Sequence, residues 1–100
     1  MRVFVGMAAF ELLLHDASTL KQKRSVVRPI VNEVQRRYSV AVSETGHHDL
    51  YRRTQIGIAV VSGEAGHCTD VLDRVERFLA GRPEADLISA HRRLRSMDDE

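Results

Sequence analysis

The sequence predicts an α+β domain in which two helices lie on one face of a four-stranded antiparallel sheet. Four segments show the two-residue apolar period of strands, and two segments show the period of an amphipathic helix. The segments follow one another as β-α-β-β-α-β, and a chain of 100 residues has room for one domain. These observations together favour a single compact sheet-and-helix domain.

The first half of the chain supplies a strand and a long helix. Residues 2–14 alternate with apolar side chains on both faces, Val5 and Met7 on one face and Phe10 and Leu12 on the other. This pattern is typical of a central strand that is covered, at least in part, on both sides. A polar connection follows, in which Ser18 or Thr19 can cap the next helix.

The first helix is predicted over residues 20–38 and contains a proline. Val27, Ile30, Val31 and Val34 recur at three- and four-residue steps and therefore share one face. Pro29 removes a helical hydrogen bond and costs about 3 kcal/mol in a helix interior. Two structures are compatible with it: one kinked helix, or a separate stretch over 21–26 before a helix that starts near residue 28. We favour the kinked single helix.

The second half of the chain supplies a hairpin, a helix and a last strand. Strands over 40–45 and 55–61 flank a polar loop and are expected to pair with each other. A second helix opens at residues 62–64 and ends at Gly81 and Pro83. Its predicted buried stripe is Cys68, Val71, Leu72, Val75, Phe78 and Leu79. A fourth strand over 85–95 completes a domain spanning 1–96, and the acidic residues 97–100 are expected to fray.

With right-handed crossovers, this order gives the split βαβ arrangement of the ferredoxin-like fold. One face of such a sheet is not covered by its own helices, and the first and third strands carry apolar residues on both faces. An exposed apolar sheet face in a soluble protein usually marks an interface. We therefore expect either a homodimer or a docked partner on this face, or else shielding by the loops and the tail.

Composition narrows the class of protein without identifying a function. The net charge is +1, so no argument can be made from the charge of the whole chain. A lone cysteine, Cys68, excludes an intrachain disulfide framework and is typical of a reducing cytoplasm. No apolar stretch approaches the roughly 20 residues of a membrane span, and the start lacks the features of a signal peptide. The prediction is a small cytoplasmic domain.

Positive charge is concentrated between residues 21 and 53. This segment holds three acidic residues and eight basic ones: Lys21, Lys23, Arg24, Arg28, Arg36, Arg37, Arg52 and Arg53. Such a cluster can contact nucleic-acid phosphates, although a solvated helix face has the same composition. Tyr51 is the one loop aromatic among these charges, and no aromatic RNA-recognition motif is present. Any RNA binding is therefore expected to use shape and backbone.

Catalytic and metal sites are not expected. His47, His48, Asp49, His67 and Cys68 match no zinc-ligand spacing, and Cys68 lies on a predicted buried stripe. Glu44 and Asp49 could form a carboxylate pair with Arg52 or Lys23 as partners, but a strand-end ion pair with the arginines of the hairpin is the simpler interpretation. Since no nucleophile or nucleotide-binding motif appears, we predict no enzyme activity, cofactor or metal.

Several short motifs carry a family resemblance. These are Val5-Gly6, residues 19–24 (TLKQKR), Tyr38 closing the first helix, 43–46 (SETG), 49–53 (DLYRR) and 57–62 (GIAVVS). Their order over roughly residues 1–80 resembles the small bacterial YlxP-like family, a domain of unknown function. Thr19 in place of the usual serine, Pro29, and the two histidines before Asp49 depart from the family pattern.

The resemblance implies a ferredoxin-like fold and brings no established catalytic residue or cofactor. Genes of such proteins often lie beside those for translation-initiation and ribosome-binding factors, which suggests small-subunit assembly or RNA contact. Our first hypothesis is thus a module that binds ribosomal RNA or the small subunit through the eight basic residues, with Asp49 orienting the arginines and Glu44 holding the hairpin end. Our second hypothesis is a homo-oligomeric or partner-binding module that uses the apolar open face of the sheet.

Overall fold

A computed structural model describes residues 1–98 and contains six elements. They are β1 (Phe4–Leu14), α1 (Leu20–Tyr38), β2 (Ala41–Gly46), β3 (Arg53–Ser62), α2 (Ala65–Ala80) and β4 (Ala85–Ser96). The predicted order β-α-β-β-α-β is confirmed, and each predicted boundary lies within a few residues of the observed one. The helix α1 covers the same residues in the prediction and in the structure.

The four strands form one antiparallel sheet in the order β2-β3-β1-β4. β1 is central, with Val5 opposite Val61 of β3 on one side and opposite Arg95 of β4 on the other. β2 pairs with β3 as the predicted hairpin and forms one edge of the sheet, while β4 forms the other edge. This is the ferredoxin-like topology that the element order predicts.

Thr19 caps α1, and the helix runs through Pro29 as one element. The Thr19 hydroxyl accepts a hydrogen bond from the Gln22 N–H at 3.1 Å, and the Gln22 side chain accepts one from the Ser18 N–H at 2.8 Å. This reciprocal pairing resembles a capping box and stabilises the helix start. The interpretation of the segment as a single helix is confirmed, because residues 20–38 form one helix with Pro29 inside it.

The helices cover one face of the sheet and create the core there. Phe10, Leu12 and Ile56 are fully buried between the sheet and the helices. Of the predicted α2 stripe, five residues are buried, and Phe78 is half-buried with its ring 5.9 Å from that of Tyr38. Alternation along each strand therefore sends one set of side chains into the core and the other to the opposite face.

The opposite face, here called the open face, is covered by neither helix. Its centre consists of Val5, Met7 and Ala9 of β1 and of Gly57, Ala59 and Val61 of β3. Met7 is 38% exposed and Val61 66% exposed. Met7, Ala9, Gly57 and Ala59 line a shallow trough of about 720 Å³. The helices thus cover β1 and β3 on one side only.

The C-terminal end of β4 remains bonded to the sheet past Ser96. The Met97 N–H donates to the Val3 carbonyl at 3.0 Å, and the Asp98 N–H donates to the Ser96 hydroxyl at 3.1 Å. The fraying expected over 97–100 falls partly on Asp99 and Glu100, which lie outside the described residues. That expectation stays a prediction.

Candidate functional site: a basic surface around a buried ion pair

The fold brings several predicted site residues to one end of the sheet, here called the loop end. β1 ends at Leu14, α1 begins at Leu20, and the loop from β2 to β3 spans residues 47–52. Backbone and side-chain hydrogen bonds tie these segments together, including one from the Leu14 N–H to the Arg52 carbonyl at 2.7 Å. The loop end is therefore where the first half of α1 meets the β2–β3 hairpin.

Lys23 lies inside the protein. The residue is 3% exposed, and its Nζ is 2.9 Å from Glu44 Oε2 and 2.6 Å from the His47 carbonyl oxygen. The Thr54 hydroxyl donates to the same Glu44 Oε2 at 2.6 Å, and Thr54 is fully buried. The sequence predicts a phosphate contact for Lys23. Its ammonium is enclosed and joins α1 to the hairpin, because a buried charge requires a partner and hydrogen bonds.

Glu44 holds the hairpin end, but through a different partner from the one expected. The sequence favoured an ion pair with the hairpin's own arginines, and the observed partner is Lys23 of α1. Desolvation by itself would raise the pKa of Glu44. The hydrogen bonds from Thr54 and Lys23, together with the nearby ammonium, outweigh it, so the pKa lies below its ordinary value of 4.5. Glu44 is thus held as a carboxylate at neutral pH.

His47 extends this arrangement to β1. Its backbone is left-handed, with φ of 61°, and its Nε2 lies 3.0 Å from Glu11 Oε1. The hydrogen bond with His47 lowers the pKa of Glu11, against a smaller opposing effect of desolvation. Arg53 Nη1 lies 3.9 Å from the other oxygen of Glu11. Glu11, which the sequence analysis does not single out, therefore connects β1 to His47 and Arg53 at the two ends of the β2–β3 loop.

Asp49 does not orient the arginines in this structure. Within residues 1–98 it makes no ion pair, whereas Arg53 faces Glu11 and the Arg52 Nε donates to the Leu14 carbonyl at 3.2 Å. Both arginines remain exposed, as does Tyr51 at the tip of the loop. The loop therefore offers two partly engaged cations and one accessible aromatic ring.

Three exposed cations share one face of the first half of α1. At 100° per residue, Lys21, Arg24 and Arg28 fall within about 60° of one another around the helix. None of the three makes an ion pair within the part of the chain that the structure describes. We call Lys21, Arg24 and Arg28, together with Arg52 of the loop end, the basic surface. Arg53 is not part of it, because it pairs with Leu13 and lies on the side of the sheet that α1 does not cover.

Arg36 and Arg37 lie elsewhere. They are at the C-terminal end of α1, about 18 Å or more along the helix axis from Arg24. Arg37 pairs with Glu33 at 3.3 Å and lies 5.6 Å from the centre of the Phe78 ring. The eight basic residues thus do not form one continuous surface, and Arg37 has contacts that explain its presence without any ligand.

The residues considered for a metal site are dispersed. His48 Nε2 lies 3.3 Å from the Glu44 carbonyl, His47 faces Glu11, and Cys68 is buried in the core with its sulfur 3.8 Å from the Val60 carbonyl. Within residues 1–98, no three His, Cys, Asp or Glu side chains are grouped as metal ligands would be.

Across the same residues, no helix is both long and apolar enough to cross a membrane.

Comparison with known proteins identifies the family of this chain. A model for the family described as "Protein of unknown function (DUF503)" matches residues 5–92. The chain belongs to this family. It is also 38% identical over 82 residues to "Uncharacterized protein YlxP" of Bacillus subtilis (strain 168), covering 82% of this chain and 89% of that protein. The YlxP-like resemblance is therefore confirmed.

Solved structures bear out the fold alone. A de novo designed protein, Foldit4, has a TM-score of 0.52 at 12% identity, with 97% of this chain and 99% of that chain covered. A dimeric ferredoxin-like protein from an uncultured marine organism has a TM-score of 0.51 at 10% identity, with 100% and 91% covered. Similarity at such low identity concerns the topology and not the activity.

Proposed function

We propose that the protein is a binding module that contacts RNA phosphates, on ribosomal RNA or the small ribosomal subunit, through its basic surface. The observation that carries the proposal is the set of three exposed cations on one face of α1, which make no ion pair within residues 1–98, with Arg52 at the same loop end of the domain. Cations without internal partners can release counterions from nucleic acid when they bind.

The buried network supports this proposal by fixing the position of the surface. Lys23 Nζ contacts the carboxylate of Glu44 and the carbonyl of His47, so α1 and the β2–β3 loop are held together. The cations of α1 and Arg52 of the loop are consequently presented on a rigid frame. Tyr51, 49% exposed between the arginines and Asp49, can stack on one base.

Co-sedimentation of the full chain with small-subunit particles tests the proposal. The wild-type protein is expected to migrate with the particles at low salt and to leave them at moderate salt. An Arg24→Ala/Arg28→Ala variant is expected to stay at the top of the gradient under both conditions. Arg74→Ala/Arg77→Ala, which removes the same charge from exposed positions on α2, is the matched control and is expected to behave like the wild type. Equal co-migration of all three proteins would contradict the proposal.

The open face supports a second candidate function, self-association. Its centre is apolar and covered by neither helix, and its two ends differ in charge: Glu11 and Asp86, with Arg53 opposite Leu13, lie near the end of β1, and Arg93 and Arg95 lie opposite Met7 and Val5 at the other end. If two copies pack face to face with antiparallel strands, the acidic end of one meets the basic end of the other. A four-stranded face spaced at about 4.8 Å per strand supplies an area near the lower limit of a stable interface.

Sedimentation equilibrium tests the second candidate. The wild type is expected to dimerise, and Val61→Lys is expected to shift it to monomer, because Val61 is 66% exposed on the open face and a buried lysine there would lack a partner. Thr69→Lys places the same charge at an exposed position in α2, on the other side of the sheet, and serves as a control for altered net charge. A monomeric wild-type protein at all concentrations would exclude self-association.

A further inference from the structure

A groove lies between α1 and the edge strand β2, and its apolar wall and free strand edge have no role in the proposed RNA binding. It has a volume of about 430 Å³ and is lined by Val27 and Val31 of α1 and by Val42 of β2, with Arg24 and Arg28 at its rim. We call this feature the α1–β2 groove. We propose that it binds an extended acidic segment of a partner protein, which adds a strand to the free edge of β2.

The edge itself is the first argument. Within residues 1–98, β2 is bonded to β3 on one side only, and the backbone groups on its other side have no partner strand. Natural sheet edges are usually protected by charged side chains or bulges. β4, the other edge, carries Arg93 and Arg95, and its pairing with β1 has a register shift where it passes Glu11 and Leu12 of β1. The first three residues of β2, Ala41, Val42 and Ser43, have no charge, and the register shift there comes only after Glu44.

The apolar wall is the second argument. An added strand would point every second side chain into the groove, where Val27, Val31 and Val42 would contact it. A helix placed beside an exposed strand edge is the geometry in which several domains recognise extended peptides. RNA offers neither a ladder of N–H and C=O groups for the edge nor aliphatic side chains for the wall.

The charge and spacing of the residues that line the groove indicate that the partner segment is acidic. The groove is lined by three cations, Lys23, Arg24 and Arg28, and one carboxylate, Glu44, which Lys23 already neutralises. Arg24 and Arg28 are four residues apart on α1, about 6 Å along the axis, and alternate side chains of a strand are about 6.7 Å apart. Glutamates at alternate positions of an extended segment therefore place their carboxylates at the two arginines, while the aliphatic stems of the same glutamates contact Val27, Val31 and Val42.

His48 lies at the point where the added strand would end. Its Nε2 is 3.3 Å from the Glu44 carbonyl oxygen, and the ring lines the groove. β2 has six residues, so about five or six residues of a partner, roughly 20 Å when extended, can pair beside it. The groove thus fits a short acidic-apolar segment better than a folded surface.

Fluorescence anisotropy with the full chain tests this proposal. The probe is a labelled, N-acetylated seven-residue peptide of alternating glutamate and valine, and two further probes carry N-methyl groups on its odd or on its even residues. Strand addition predicts that one of the two methylated peptides loses affinity by about tenfold or more while the other binds like the parent, because only alternate N–H groups face the edge. Equal binding of all three probes, or no binding at about 1 mM, would overturn the proposal.

Two variants separate this inference from RNA binding. Val31→Phe fills the groove without changing the charge. It is expected to lower the affinity for the peptide by about tenfold and to leave the affinity for RNA within about twofold of wild type. Arg24→Ala/Arg28→Ala is expected to lower the affinity for both the peptide and RNA. Arg74→Ala/Arg77→Ala is expected to change neither affinity. Thermal unfolding checks that each variant is folded. If Val31→Phe leaves peptide binding unchanged, the peptide is held by charge alone and the groove is not its site.

Discussion

Lys23 and Arg24 are adjacent in the chain, carry the same charge and have opposite surroundings. The Lys23 ammonium is buried against Glu44 and the His47 carbonyl, whereas Arg24 is exposed at the rim of a groove without an ion pair in the described chain. The difference arises from the 100° rotation between successive helical residues. A single basic motif therefore contains one residue that stabilises the fold and one that is available to a ligand.

The largest expected effect comes from removing the charge of Lys23. Lys23→Met keeps most of the side-chain volume but leaves the Glu44 carboxylate without its cation, and we expect it to lower the free energy of unfolding by about 3 kcal/mol. Urea denaturation followed by circular dichroism measures this. Lys23→Met/Glu44→Gln should recover part of the loss, since the amide oxygen can still accept from Thr54. A Lys23→Met protein as stable as wild type would contradict the structural assignment.

The next effect concerns ligand binding without loss of stability. Arg24→Ala/Arg28→Ala is expected to leave the urea midpoint within the range of the Arg74→Ala/Arg77→Ala control, because all four side chains are exposed. Its affinity for small-subunit RNA, measured by filter binding, should fall by about tenfold or more. A double alanine variant of Lys23 and Arg24 would mix the two effects and could not separate them. If Arg24→Ala/Arg28→Ala lowered the urea midpoint below that of the control, these arginines would stabilise the fold as Lys23 does, and the contrast between Lys23 and Arg24 would be wrong.

The pH dependence of stability distinguishes the buried pair from surface charges. The pKa of Glu44 is lower in the folded protein than its ordinary 4.5, so the carboxylate adds stability above that pH and loses it as pH falls through the folded pKa. Glu44→Gln lacks this contribution. We expect the stability gap between wild type and Glu44→Gln, obtained from urea titrations at pH 7 and pH 3.5, to narrow at the lower pH. A gap that widens in acid would show that Glu44 is not stabilised as a carboxylate.

The smallest expected effect comes from the far end of α1. Arg36 is exposed and lies about 18 Å along the axis from Arg24, outside the basic surface. Arg36→Ala is expected to change RNA affinity less than about twofold. If filter binding shows a loss as large as that of Arg24→Ala, the binding surface extends along the whole helix, as the sequence had suggested.

The element order, the extent of α1 and the β2–β3 hairpin could be predicted from the sequence, because apolar periodicity is a local property. The burial of Lys23 could also have been found. Lys23 precedes Val27, Ile30 and Val34 at helical spacing and therefore belongs to the buried stripe. Thr54 likewise alternates in phase with Ile56 and Ile58, which places it on the core face.

The partners of these residues could not be predicted in the same way. The contact of Lys23 with Glu44 joins positions in α1 and β2, and that of His47 with Glu11 joins a loop to β1. Both depend on how the helix and the hairpin pack, which no local pattern encodes. For the same reason, charge counting grouped Arg36 and Arg37 with the loop-end cations although the helix separates them.

The most direct test of the account is the salt dependence of binding to small-subunit RNA. Filter binding of wild type, Arg24→Ala/Arg28→Ala and Arg74→Ala/Arg77→Ala across a range of salt gives the slope of log affinity against log salt for each. Removing two phosphate contacts should reduce the magnitude of the slope by about 1.4 for single-stranded RNA and by somewhat more for a duplex. The α2 control should keep the wild-type slope. Identical slopes for all three proteins would contradict the assignment of the basic surface as the RNA-binding site.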